Sequence, residues 1–198
     1  MPNDGMPRAG LLVSQDAPPF MEATRTGNGW SAQTATLFAP LVAVPSTVAA
    51  LELWNNIASG MTMVISDLFA DQILGTAATQ TYAIFACVTT SKAVPTLTAL
   101  AISSASGRTG YTSAVGTRVV TGVGTTVIAN GWRPWGNPQA WGTAAATPGN
   151  AWNAAVDGKL IVPPGCSLVV HVVGSLATAS TFQAGAAWFE VPGLTNVS

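Results

Sequence analysis

The sequence predicts an all-β protein, an antiparallel β-sandwich with a jelly-roll-like topology and an extended N-terminal arm. Helices are disfavoured because 20 Gly and 13 Pro are spread along the 198 residues and interrupt nearly every window long enough for three helical turns. Short apolar runs at intervals of roughly 10 to 15 residues, separated by turn residues, are typical of a sandwich. An immunoglobulin-like sandwich is the alternative, but the Cys-Trp-Cys spacing of that fold is missing.

About nine strands account for the body of the chain. The predicted strands are 48–55, 61–74, 80–90, 97–103, 117–129 as one strand or two, 151–156, 160–162, 167–173 and 182–191. Asp157-Gly158 predicts a hairpin turn, and Pro163-Pro164-Gly165 predicts a second turn. Residues 130–150 are predicted to form a long loop.

The strand 167–173 lies in a run that contains no charged residue between Leu160 and Phe189. Hydropathy alone would suggest a membrane span, but the Pro-Pro-Gly turn and the abundance of Val and Ile favour strands. Leu168, Val170 and Val172 point to one face, whereas Val169, His171 and Val173 point to the other. We therefore expect both faces of this strand to be covered.

Two segments are predicted, an extended arm at residues 1–40 and a sandwich domain at residues 41–198. The arm is rich in Pro and Gly, yet it carries more large apolar side chains than a disordered tail usually does. We expect the arm to lie on a neighbouring subunit, with a flexible tail as the alternative. The candidate assembly contacts in this arm are Leu11, Leu12, Phe20, Trp30 and Phe38.

The low charge is the strongest feature of the composition, because only 8% of the residues are charged and soluble domains carry about 25%. Such a surface is poorly protected against association, which favours burial against other subunits over a secreted bacterial surface domain. No signal peptide and no transmembrane segment are predicted, so we expect synthesis in a cytoplasm. The two cysteines, Cys87 and Cys166, are expected to be buried thiols.

Groups that could support catalysis are scarce. His171 is the only histidine and lies between valines, so a buried imidazole is expected rather than a general base. Asp67 and Asp71 are the one close carboxylate pair, and two solvated acids explain them equally well. No metal-ligand spacing, phosphate-binding loop or basic stripe occurs. The sequence therefore predicts no enzyme, no cofactor, no metal and no specific nucleic acid as a partner.

A tryptophan-rich segment is the best candidate for a binding site. Its candidate residues for assembly or glycan contacts are Trp132, Arg133, Trp135, Asn137 and Trp141. Exposed aromatic planes beside amides and a guanidinium could stack on sugar rings and bond to hydroxyls. The alternative, which we favour, is a loop held by its own tryptophans against the sandwich or against a neighbouring chain.

Three motifs are distinctive: Leu53-Trp54-Asn55-Asn56 before an apolar strand, the turn from Gly158 to Gly165, and the closing Trp188-Phe189-Glu190-Val191-Pro192. They resemble features of jelly-roll structural proteins from tailed-phage virions. The resemblance covers roughly residues 45–192. It implies a non-enzymatic virion component, commonly a homotrimer: a capsid decoration or cement protein on a capsid shell, or a head or tail fibre. The alternative function is a carbohydrate-binding module or adhesin that uses residues 132–141 and binds a glycan.

Overall fold

The computed structural model describes residues 21–45, 48–75, 80–89, 101–105, 113, 131–141, 151–175 and 180–192, with the backbone alone for 139–141. These residues form two antiparallel β-sheets and one short helix, which confirms the predicted all-β sandwich. The elements are α1 (Met21–Arg25), β1 (Gly29–Gln33), β2 (Leu51–Trp54), β3 (Met61–Leu74), β4 (Gln80–Thr89), β5 (Ser103–Ser104), β6 (Arg133–Trp141), β7 (Ala151–Ala155), β8 (Ile161–Val162), β9 (Ser167–Gly174) and β10 (Thr181–Pro192).

The strand order is that of a jelly roll. One sheet has the order β5-β1-β10-β3-β7, with β8 also paired to β3, and the other has the order β2-β9-β4-β6. Along the chain, β1 and β3 belong to the first sheet, whereas β2 and β4 belong to the second. The chain later returns through the same two sheets, because β7 and β10 lie in the first sheet and β6 and β9 in the second. This alternation agrees with the predicted jelly-roll-like topology.

The core fills the space between the two sheets, because each strand turns alternate side chains inward. The longest pairing joins β3 and β10, from Met61 opposite Pro192 to Leu74 opposite Thr181. Fully buried side chains from both sheets meet there, among them Ile65, Leu68, Ile84, Val170 and Trp188. The sheets are therefore held together mainly by burial of apolar surface.

Strand β9 is covered on both faces, as its sequence predicts. Leu168, Val170 and Val172 belong to the main core. On the opposite face, Val169 packs in a second cluster with Ala49, Cys87 and Trp132. Residues of the same chain thus supply this outer cover.

The second half of the predicted arm is part of the sandwich, which corrects the prediction. Strand β1, at Gly29–Gln33, pairs with β10 and β5 inside the first sheet, and Phe38 forms a β-bridge with Phe182. The sandwich therefore includes residues before the predicted boundary at residue 40. Residues 1–20 of the predicted arm and the predicted strand 117–129 lie outside the described residues.

The predicted loop at 130–150 is also corrected. Its first half forms strand β6, which pairs with β4 from Trp141 opposite Gln80 to Arg133 opposite Ala86. The pairing has an irregularity between Tyr82 and Ile84. No helix in the described part of the chain is both long and apolar enough to cross a membrane.

Candidate functional site

Two tryptophans of the tryptophan-rich segment, Trp132 and Trp135, are buried against the sandwich. Trp135 belongs to the main core and is 8% exposed, and its Nε1 donates a hydrogen bond to the carbonyl oxygen of Ala86 at 3.4 Å. The Arg133 guanidinium carbon lies 4.4 Å from the centre of the Trp135 ring. Trp132 is 9% exposed and packs on the outer face of the second sheet.

The burial of Trp132 and Trp135 is relevant to the hypothesis that this segment binds a glycan. Stacking on a sugar needs an exposed aromatic plane, and the rings of Trp132 and Trp135 face other parts of this protein. Arg133 and Asn137 are exposed beside them, and Trp141 is described only as part of strand β6. The interpretation that these tryptophans hold the segment against the sandwich fits the geometry better.

The candidate assembly contacts of the arm divide into two groups. Leu11, Leu12 and Phe20 lie outside the described residues. Trp30 and Phe38 belong to the core of this chain, at 5% and 8% exposure. The prediction that these two side chains contact another subunit is therefore corrected, because burial within their own chain leaves them little surface to offer.

An exposed apolar segment, which sequence reasoning did not single out, lies at residues 37–44. Leu37, Val42 and Val44 are 43%, 57% and 56% exposed. The segment is held in place, because Phe38 bridges to β10 and Leu41 forms a parallel bridge with Val173 of β9. It lies within a stretch without charged residues that extends from residue 26 to residue 51.

The two carboxylates on β3 do not form a catalytic pair. Asp67 and Asp71 lie opposite Ala187 and Gln183 in a regular part of the β3-β10 pairing. Four strand residues place their Cα atoms about 13 Å apart. The carboxyl groups of glycosidases are about 5–9.5 Å apart. No cluster of three or more His, Cys, Asp or Glu side chains suited to a metal occurs among the described residues.

His171 and Cys87 lie in apolar surroundings on the outer face of the second sheet. The Phe38 and His171 rings meet edge to face with their centres 5.2 Å apart, and His171 Nδ1 lies 2.9 Å from the carbonyl oxygen of Val172. Burial lowers the pKa of His171 and raises the pKa of Cys87 to about 11. Cys87 is buried as predicted, whereas Cys166 is only half-buried.

Stability is expected to fall below about pH 6.5 because of His171. Its pKa is lowered in the folded chain, so the unfolded chain binds the proton more readily, and the stability present above pH 6.5 is lost as the pH falls toward the folded pKa. The free energy of unfolding should drop by up to about 1.4 kcal/mol per pH unit. Urea unfolding of the parent protein and His171→Leu between pH 7.5 and 5 measures this slope. An equal slope in the variant would assign it to other groups.

No protein-family model, no curated protein and no solved structure matches this chain.

Proposed function

We propose that this chain is a non-enzymatic structural subunit of a virus particle, which assembles with copies of itself as a symmetric homo-oligomer. The proposed state is a homotrimer that decorates or cements a capsid shell or forms part of a fibre. The observation that carries the assembling role is the 37–44 segment, in which Leu37, Val42 and Val44 are exposed. Apolar side chains that are exposed on a segment held by β-bridges favour contact with another protein surface.

The energetics favour contacts between identical copies. Burying a Val or Leu side chain completely stabilises by about 1.5–3 kcal/mol, so three half-exposed side chains contribute about 2–4.5 kcal/mol per subunit. Closed rotational symmetry buries the same patch once for each subunit. The β-bridges of Phe38 and Leu41 hold the segment in place before association, which reduces the entropy cost of ordering it.

The distribution of charge supports the same role. No charged residue occurs between Arg25 and Glu52, so copies that meet through the 37–44 segment bring no like charges from this stretch together. Glu52 and Glu190 are buried, at 2% and 4% exposure. Neither carboxylate is therefore exposed at a surface that a second copy could contact.

The proposal of a virus particle rests on the resemblance of three motifs to tailed-phage jelly-roll proteins. Two of these motifs, residues 53–56 and the turn from Gly158 to Gly165, contact each other in the structure. Asn55 Nδ2 donates hydrogen bonds to the carbonyl oxygens of Met61, at 2.8 Å, and Val162, at 2.9 Å. The backbone of Gly165 donates to the carbonyl oxygen of Asn55 at 2.8 Å. Jelly-roll sandwiches are frequent in viral capsids, and the fold supports the proposal by this analogy.

The assembly is tested by light scattering on the parent protein and on Val42→Glu/Val44→Glu. We expect a trimer for the parent at about 10 μM and a monomer for the variant, because two carboxylates per subunit would have to be desolvated in the contact. The matched control is Ile57→Glu, which changes a 68% exposed apolar residue outside the segment. It should remain a trimer.

Two results would contradict the assembling role: a monomeric parent, or a trimer that survives both substitutions in the 37–44 segment. A monomer for Ile57→Glu as well would assign the effect to net charge rather than to the segment. The virion location has its own test, which is mass spectrometry of particles purified from the organism that encodes the chain. Absence of its peptides from those particles would contradict that location.

A further inference from the structure

We propose that the outer face of the first sheet carries a binding site for a neutral saccharide. An open cleft of about 430 Å³ lies there, lined by residues of β1, β3, β5 and β10. Its volume falls within the range of about 300–1,000 Å³ that is usual for small-ligand sites. The site is separate from residues 132–141 and does not rest on the proposed assembly.

Four polar side chains around the cleft come from strands that are neighbours in the sheet. Ser31 and Gln33 lie on β1, Ser103 lies on β5 opposite Ser31, and Gln183 lies on β10. The residues that alternate with these on β1, Trp30 and Ala32, are buried in the core. Alternation along the strands thus places Ser31 and Gln33 on the outer face.

The floor of the cleft includes an aromatic ring fixed against a glycine. Phe69 on β3 stands opposite Gly185 on β10, and Gly185 stands opposite Gln33 on β1. A Cβ added at position 185 would fall on the Phe69 ring and 2.6 Å from the carbonyl oxygen of Ala32. The ring therefore leans across the β10 backbone toward β1, in the space that a side chain at position 185 would occupy.

The aromatic ring of Phe69 and the polar side chains around it are complementary to the apolar face and the hydroxyl groups of a sugar. A pyranose offers an apolar face of C–H groups that can pack on the Phe69 ring, and hydroxyl groups that bond to amides and hydroxyls. Within the described residues, the side chains of Gln33 and Gln183 make no hydrogen bond to another protein group. Their amides can therefore donate to and accept from a saccharide without breaking a protein contact.

The electrostatics select a neutral saccharide. Among the described residues, none with a charged side chain lines the cleft. Asp67 and Asp71 flank Phe69 two residues away on either side of it, and Asp71 lies directly opposite Gln183. These carboxylates would repel an anionic sugar. The site should therefore take a neutral mono- or disaccharide and disfavour a sialylated or uronic one.

Saturation-transfer NMR and calorimetry test the site with maltose, lactose and cellobiose as neutral probes and sialyllactose as the anionic probe. We expect at least one neutral disaccharide to bind with a dissociation constant on the order of 1 mM. Saturation should be strongest on its ring C–H protons. Sialyllactose should bind more weakly than lactose. The proposal would be overturned if no neutral probe binds at about 10 mM, which is ten times the expected dissociation constant. Tighter binding of sialyllactose than of lactose would also overturn it.

Two variants locate the binding. Phe69→Leu keeps an apolar side chain and removes the flat ring, and Gln33→Ala/Gln183→Ala removes both amides without touching the core. Each should weaken binding about tenfold, which corresponds to about 1.4 kcal/mol. The matched control is Asn153→Ala, an exposed residue on β7 opposite Phe69 and outside the cleft, which should leave binding unchanged. Unchanged affinity in both cleft variants, or an equal loss in the control, would overturn the site.

Discussion

Asn55→Ala is expected to lower the free energy of unfolding by about 3 kcal/mol. The side chain is fully buried. Its Nδ2 donates to the carbonyl oxygens of Met61 and Val162, and its Oδ1 accepts a hydrogen bond from Ser59 Oγ at 2.7 Å. The Asn55 amide thus joins the turn between β2 and β3 to strand β8.

The size of the effect follows from the atoms that are left behind. Alanine removes all three hydrogen bonds of the amide, and each contributes about 1 kcal/mol. The carbonyl oxygen of Met61 keeps one bond, from Ser59 Oγ at 3.2 Å, whereas the buried carbonyl oxygen of Val162 loses the Nδ2 donor. Asn55→Asp should be at least as costly, because a second acceptor oxygen would replace the Nδ2 donor next to those carbonyl oxygens. Urea unfolding followed by tryptophan fluorescence measures both losses.

The adjacent Asn56 provides a matched control. It is half-buried, and its Oδ1 accepts one hydrogen bond, from the backbone of Ala58 at 2.9 Å within the same turn. Asn56→Ala should therefore cost less than about 1 kcal/mol. Equal losses at positions 55 and 56 would contradict the role given to Asn55.

The sandwich could be predicted from the sequence because its central strands carry strong patterns. The strand predicted at 61–74 is observed as Met61–Leu74, and that predicted at 182–191 is observed as Thr181–Pro192. Both are long, rich in apolar residues and bounded by turn residues, so local propensity and burial agree. Strand β9 was predictable for the same reason, since it is apolar on both faces.

The sequence analysis did not predict strands β1 and β6, because their local sequences only weakly favour a strand. Strand β1 is short, begins with glycine and, apart from Trp30, contains only small or polar residues, so its partners β10 and β5 are needed to make it a strand. Strand β6 contains Pro134, Gly136 and Pro138, which argue against a strand. It forms the edge of the second sheet, where a proline need not donate to a neighbour.

The sites were harder to predict than the fold. Residue type alone made Trp132 and Trp135 candidates for an exposed platform, but type does not distinguish a buried ring from an exposed one. The saccharide cleft depends on Gln33 and Gln183 facing the same space, although they are 150 positions apart in the sequence. Such a site becomes visible only once the β1-β10 pairing is known.

Gly185→Ala is expected to destabilise the protein by about 3 kcal/mol, at the upper end of the usual cost of overpacking. At a strand position with free space, replacing glycine by alanine stabilises by about 0.4–1 kcal/mol, so the sign of the change is itself informative. At position 185 the new Cβ would collide with the Phe69 ring and with the carbonyl oxygen of Ala32. The ring can move, but the carbonyl belongs to the paired strand β1.

A double-mutant cycle separates these two collisions. In a Phe69→Ala background, Gly185→Ala should cost about 1 kcal/mol less than in the parent, because the ring is gone while the carbonyl oxygen of Ala32 remains. Gly60→Ala is the control, since its Cβ meets open space and its φ of 63° leaves only backbone strain, about 1–2 kcal/mol. Absence of coupling between positions 69 and 185 would mean that the ring does not rest on the glycine, and it would remove the aromatic floor on which the saccharide site depends.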